Sequence, residues 1–174
     1  MPAGMPMPIA QLEWCAPFSG PVRLALHGLK YAGERRLAGP LAAAVATRWR
    51  SSAAGGDLLV PVPVHAERAR QRGYDQAVLL AAETARLLGL PWSKALERNR
   101  NTRPQFDLGR SARRTNVAGA FSVAGPAQAA LVRGRWIVLV DDVVTTGSTL
   151  VACAEALYGA GALAVSAVTV ARER

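Results

Sequence analysis

The chain has 174 residues, 51% of them hydrophobic, and carries 21 Lys plus Arg against 12 Asp plus Glu for a formal charge of +9. That length and apolar content suit one domain with a sizeable core and exclude a disordered chain, which lacks the apolar surface to offset chain entropy. The 16 Gly and 11 Pro follow no fixed period and no heptad persists, which excludes collagen-like, repeat and coiled-coil architectures.

The first eight residues, Met1-Pro2-Ala3-Gly4-Met5-Pro6-Met7-Pro8, offer neither a cationic start nor a continuous apolar run, so no signal peptide is expected. No window reaches the ~18 apolar residues of a membrane span. The expected organisation is a flexible segment at residues 1–17 and a single domain at 18–174, in the cytoplasm. Leu37, Leu41, Val45 and Trp49 recur every fourth position and predict one helical stripe, broken by Ser51 to Gly56. Leu58-Leu59-Val60 reads as a short buried strand, followed by a segment dense in Arg and Gly. Gln76 to Leu88 reads as a helix ended by Gly89 and Pro91, and Val117 to Val123 as a strand. Ile137-Val138-Leu139-Val140 is the continuous apolar run that a strand covered on both faces requires. A turn at Thr145 to Thr149 leads into a helix from about Ser148 to Tyr158, closed by Gly159 and Gly161, and Val165 to Val170 supplies another strand. Strand, helix, strand in that order makes right-handed crossover units. The expected fold is α/β, a mainly parallel sheet flanked by helices, whose ligands bind beyond the carboxyl ends of the strands.

The charge is unevenly spread. Residues 65–115 hold eleven basic and five acidic side chains, a net +6 of the +9, and 19 of the 21 cations are Arg, whose planar fork suits phosphate oxygens. Phosphate on a nucleic acid or on a small molecule is the expectation; a solvated surface of biased composition is the plain alternative. Cys15 and Cys153 are too few for a disulfide framework or a zinc site, and Cys153 lies in an apolar helical run that marks it as core.

The most informative stretch is Val138 to Leu150. Asp141 and Asp142 end a buried strand, where unmatched charge is costly unless a cation or hydroxyl groups meet it. Thr145, Thr146, Gly147, Ser148 and Thr149 then open a helix, and their amides, hydroxyls and the positive end of the helix dipole make a seat for a phosphate dianion. The competing reading is an ordinary turn with Ser148 as helix cap. A nucleotide P-loop is excluded, because its Gly-x-x-x-x-Gly-Lys-Ser/Thr pattern is absent and neither Lys30 nor Lys94 is nearby in the chain.

This stretch resembles, without a gap, the motif with which type I phosphoribosyltransferases bind 5-phosphoribosyl 1-pyrophosphate (PRPP). More narrowly, the chain is similar to the ComF group of competence proteins. The blocks that carry the likeness are Gly20-Pro21-Val22-Arg23 with His27 to Gly33, Val60-Pro61-Val62-Pro63 with Arg70 to Gln76, and Arg98 to Gln105 with Arg114 to Phe121. The resemblance implies a type I phosphoribosyltransferase fold with a hood segment, and a glycosyltransferase that moves a 5-phosphoribosyl group to an acceptor with release of pyrophosphate. It implies Asp141 and Asp142 at the ribose hydroxyls and Thr145, Thr146, Gly147, Ser148 and Thr149 at the 5′-phosphate. Pro63, Val64, Arg70 and Arg72 would lie at the pyrophosphate, and Arg98, Arg100, Thr102 and Gln105 in the hood over the acceptor. Mg²⁺ would be held mainly by the substrate's own oxygens, through water to Asp141 and Asp142 rather than by direct ligation.

Expected ligands are therefore PRPP or ribose 5-phosphate. The alternative is a non-catalytic accessory protein of DNA uptake, whose Arg-rich segment binds single-stranded DNA or a helicase-like translocase; a homo-oligomer is compatible with both. Most ComF-like chains begin with a four-cysteine zinc ribbon, whereas only Cys15 precedes the first block here, so no zinc site is expected. Among the remaining residues, His65 is a candidate pyrophosphate contact and Tyr74 and Phe106 are candidate stacking platforms. His27 lacks a second ligand at metal spacing, and Trp14, Trp49, Trp92 and Trp136 read as packing residues.

Overall fold

A computed structural model of the chain describes residues 8–99 and 119–173. In chain order the elements are β1 (Leu12–Pro17), α1 (Gly20–Tyr31), a 3-10 turn at Arg35–Leu37, α2 (Ala38–Ser51), β2 (Leu58–Pro61), α3 (Ala66–Arg72), α4 (Gln76–Leu88), β3 (Leu96–Arg98), β4 (Phe121–Val123), α5 (Pro126–Val132), β5 (Trp136–Val144), α6 (Ser148–Gly159) and β6 (Ala164–Arg172). Four strands form the main sheet in the order β1-β6-β5-β2, each neighbouring pair parallel. β3 and β4 make a separate antiparallel pair.

Side chains alternate across a strand, and β5 uses both faces. Ile137 and Leu139 join one core with Val132 of α5 and Leu150, Cys153 and Leu157 of α6. Val138 and Val140 join the other with Leu26 and Leu29 of α1, Val45 and Trp49 of α2 and Leu80 of α4. Two covered faces explain why the run from Ile137 to Val140 is apolar throughout.

The loop ahead of β2 passes close under β5. A Cβ on Gly56 would clash with the Val138 Cγ2 methyl, and one on Gly55 would stand 2.6 Å from the Trp136 ring. Gly56→Ala is expected to cost about 1–3 kcal/mol through overpacking. A lowered midpoint in urea unfolding checks this, and an unchanged one means that the loop retreats freely.

Two expectations need correction. Residues 12–17, expected within a flexible start, form an edge strand registered on β6 from Leu12↔Ala167 to Pro17↔Arg172. Its pattern was hard to read because Glu13 is buried; Arg48 of α2 (2.7 Å) and Gln11 (2.9 Å) meet that carboxylate. Pro17 is tolerated because it ends an edge strand. Residues 1–7 lie outside the described residues. The strand expected at Val117 to Val123 is described only as Phe121–Val123, and it pairs with β3 rather than joining the parallel sheet. Among the described residues no helix is long and apolar enough to cross a membrane.

Candidate functional site

Because the main sheet is parallel throughout, its carboxyl ends share one edge, and the segments leaving β1, β2 and β5 converge there. β5 runs beyond its apolar stretch and stays paired with β6 through Asp141↔Thr169 and Val143↔Ala171. The acidic pair therefore belongs to the strand, not to a loop. Alternation sets Asp141 on the side of Ile137 and Leu139, and Asp142 on that of Val138 and Val140. Asp142 is only 5% exposed, and the Lys30 ammonium from the last turn of α1 pairs with it. Asp141 is half-buried, and its Oδ1 accepts the Asp142 N–H at 2.8 Å. Burial pushes the Asp141 carboxyl well above the usual carboxylate range, the Asp142 carboxylate adds to the rise, and Lys30 works against it.

Immediately after β5, Gly147 takes the left-handed conformation (φ 78°) and caps α6. The first intrahelical donor is the Val151 N–H, which reaches the Gly147 carbonyl at 3.0 Å. The amides of Ser148, Thr149 and Leu150 precede it and have no partner within the helix, and that of Ser148 donates to Thr146 Oγ1 at 3.4 Å. Thr146 and Ser148 join their hydroxyls at 2.9 Å, which draws the loop across the helix start, while Thr145 and Thr146 stay exposed. Donors and a positive dipole end thus lie a few residues from two carboxylates.

Cations approach from the other side. Arg98 of β3 stacks over Phe121 at 5.2 Å, and its Nε is buried with no hydrogen-bond partner among the described residues. Burial pulls its guanidinium below the usual value; Cys153 opposes that pull, Arg68 adds to it and Asp141 opposes it. His65, at the start of α3, is lowered by burial and by the same Arg98 and Arg68, against Glu67. Arg98 thus feels the charges of Arg68 and Asp141, and His65 those of Arg98 and Arg68.

The phosphoribosyl transferase domain family matches residues 75–174, more than half of the chain. The DNA utilization protein YhgH of Escherichia coli (strain K12) is 34% identical over 166 residues, covering 92% of this chain and 71% of that protein. The chain belongs to the phosphoribosyltransferase family, in its ComF-like group. Competence protein F of Haemophilus influenzae is 39% identical over 95 residues, 54% of this chain and 41% of that protein. Among solved structures, the allosteric regulatory enzyme of purine biosynthesis superposes with a TM-score of 0.52 at 22% identity, over 76% of this chain and 26% of its own. That likeness concerns the fold, a type I phosphoribosyltransferase fold.

The described residues of the motif blocks differ in their surroundings. Pro63 and Val64 are half-buried between β2 and α3. Arg70 is exposed on α3. Arg72 donates to Gln76 Oε1 at 2.6 Å and lies 5.1 Å over the Tyr31 ring. Arg100, Thr102, Gln105 and Phe106 lie outside the described residues. Tyr74 is no free platform: its hydroxyl donates to the Leu29 carbonyl and Arg35 covers its ring at 4.7 Å. Asp75 caps α4 by accepting the Ala77 N–H at 2.9 Å and the Val78 N–H at 3.2 Å; burial raises its carboxyl, and these bonds partly offset the rise. Cys153 is buried, and burial pushes its thiol well above its usual value.

Sequence reasoning missed two residues at this edge, Lys30 and Arg68. For Lys30 a signal existed: it is one of two lysines in a chain that otherwise uses Arg for positive charge. Arg68 had none, since nothing in the sequence separates it from Arg70 and Arg72.

Proposed function

We propose that this chain binds PRPP and transfers its 5-phosphoribosyl group to an acceptor. The observation that carries the reading is the acidic pair at the end of β5 running directly into a left-handed Gly147 and the open amides of α6. Such a segment offers acceptors for ribose hydroxyls and donors for a 5′-phosphate within one turn of chain. Thr145, Thr146, Gly147, Ser148 and Thr149 hold the phosphate in this reading, and the acidic pair of β5 forms the sugar end of the site.

The residues also suit the rest of the ligand. Pyrophosphate sits against Pro63 and Val64, with Arg98, Arg68 and His65 as nearby cations and donors and Arg70 and Arg72 on the same helix as Arg68. The unpartnered Arg98 Nε is a buried donor that an anionic oxygen would satisfy. Asp141 and Asp142 suit Mg²⁺ as outer carboxylates, because that ion keeps several waters and takes substrate oxygens. When bound with the substrate it supplies charge neutralisation for the departing pyrophosphate. In the transfer, the acceptor's lone pair forms a bond to C1 as the C1–O bond breaks, and pyrophosphate leaves with the electron pair. Fixed carboxylates beside the ring and fixed cations beside the leaving group stabilise the charges that develop, without a covalent intermediate.

Isothermal titration tests this. Wild type should bind PRPP in the presence of Mg²⁺ and ribose 5-phosphate more weakly, since the latter lacks the pyrophosphate contacts. No heat with either ligand overturns the reading.

The names of the relatives at 34% and 39% identity, DNA utilization protein and competence protein, favour a second reading. In it the basic segment that starts at Arg98 binds single-stranded DNA or a helicase-like translocase in DNA uptake. Fluorescence anisotropy with a labelled single-stranded oligonucleotide checks the DNA arm. Changing Arg98, Arg100 and Arg103 to Ala should weaken binding and flatten its salt dependence, because a protein that neutralises fewer phosphates releases fewer counterions. Unchanged affinity removes that surface from consideration.

A further inference from the structure

Among the described residues, Lys30 is the one side chain ion-paired with the acidic pair of β5. It is 21% exposed at the side chain, against 7% for Asp142, so the pair lies largely out of water. The turn that carries it is fixed on several sides. The Gly28 carbonyl accepts both the Ala32 N–H at 3.1 Å and the Glu34 N–H at 3.2 Å. A Cβ on Gly28 would stand 3.0 Å from Leu37 Cδ1. The next carbonyl, of Leu29, accepts the Tyr74 hydroxyl, and Arg72 lies over the ring of Tyr31. Lys30 is therefore delivered to Asp142 by a braced helix end.

The choice of residue matters as well. In a chain with 19 arginines, a lysine stands at this contact, whereas the buried Glu13 carboxylate is met by Arg48. An ammonium is a compact charge, whereas a guanidinium fork would span a wider space and reach for two acceptors. Strand alternation places Asp141 on the opposite face of β5, and it holds no ion pair among the described residues.

We propose that Lys30 is a positioning residue of the ribose site: it holds the Asp142 carboxylate on the α1 face of β5 and leaves Asp141 as the carboxylate that meets the sugar hydroxyls. This division of labour rests on the phosphoribosyl reading above. It makes the two adjacent aspartates unequal, one engaged by the protein and one by the ligand.

Two measurements test it. Lys30 and Lys94 are the chain's two lysines, and Lys94 is exposed, so brief acylation with an N-hydroxysuccinimide ester read by peptide mass spectrometry carries its own reference. Lys30 should react more slowly than Lys94 in wild type, speed up in Asp142→Asn and stay slow in Asp141→Asn. In PRPP titrations with Mg²⁺, Lys30→Met and Asp142→Asn should each weaken binding about tenfold, as loss of a partner that orients a ligating group does. The double variant should be no weaker than either single one, since both remove one interaction. Lys30→Arg should recover part of the loss. Additive losses, or a Lys30→Met variant with a lower melting temperature but unchanged affinity, overturn the positioning role. A wild type that fails to bind PRPP overturns the phosphoribosyl reading itself. The acylation pattern tells the two failures apart, because a Lys30 as reactive in wild type as in Asp142→Asn overturns the pairing whatever the ligand.

Discussion

Gly147→Val is expected to abolish ribose 5-phosphate binding while the sheet still forms. Gly147 sits at φ 78° and ψ 0°, a left-handed conformation in which a β-branched side chain is strained. Holding a residue other than glycine there costs about 1–3 kcal/mol. The chain relieves that strain by turning the loop, and the turn moves the Ser148, Thr149 and Leu150 amides away from a common point. A phosphate seat of two charge-assisted hydrogen bonds at about 1.5–3 kcal/mol each then loses more than about 100-fold in affinity. Pyrophosphate alone, held in this reading near Arg98 and Pro63, should bind the variant nearly as well as wild type. Titrating the two ligands separately reads the difference, and equal losses for both would place the phosphate elsewhere. Thr146→Val should fall between, since it removes the 2.9 Å hydroxyl link to Ser148 but keeps the backbone turn.

The contrast between Gly147 and Lys30 shows what was legible in the sequence. A phosphate loop is a local object: strand end, small residues, helix start, all within about ten positions, and its chemistry is written in its own residue types. The two-sided burial of Ile137 to Val140 was legible for the same reason, and the helix at Gln76 to Leu88 matches its sequence reading residue for residue. Contacts made across the chain were not. Lys30 meets Asp142, Arg98 reaches the surroundings of Asp141, and Arg48 meets Glu13, and each pairing depends on how whole elements dock. β1 was missed because its buried acid breaks the pattern that marks a strand, and the α2 arginine together with Gln11 makes that acid tolerable. Of the three arginines on α3, the sequence favoured Arg70 and Arg72. The charge of Arg68 acts on His65, and Arg72 is engaged by Gln76 and the Tyr31 ring, pairings that depend on how the helix docks.

The two aspartates also separate function from stability, and Asp141→Asn is expected to expose the separation. Folding raises the Asp141 carboxyl well above its usual value, so the native state holds this proton at pH values where the unfolded chain has lost it. Stability then falls as pH rises from the unfolded value toward the folded one, and the whole penalty is present above the folded value. Asparagine carries no such proton. The variant should therefore match wild type at low pH and become relatively more stable as the pH is raised, seen as a widening gap between their melting temperatures. Engaging the ribose as a carboxylate requires Asp141 to release that proton, and asparagine supplies no charged acceptor at all, a loss of about 1.5–3 kcal/mol, or roughly 10- to 100-fold in PRPP affinity. A variant that melts higher and binds worse has the signature of a group kept for its ligand at the expense of the fold. A variant that melts lower at neutral pH would show instead that Asp141 is held charged by partners, and one that binds PRPP as well as wild type would remove it from the ribose.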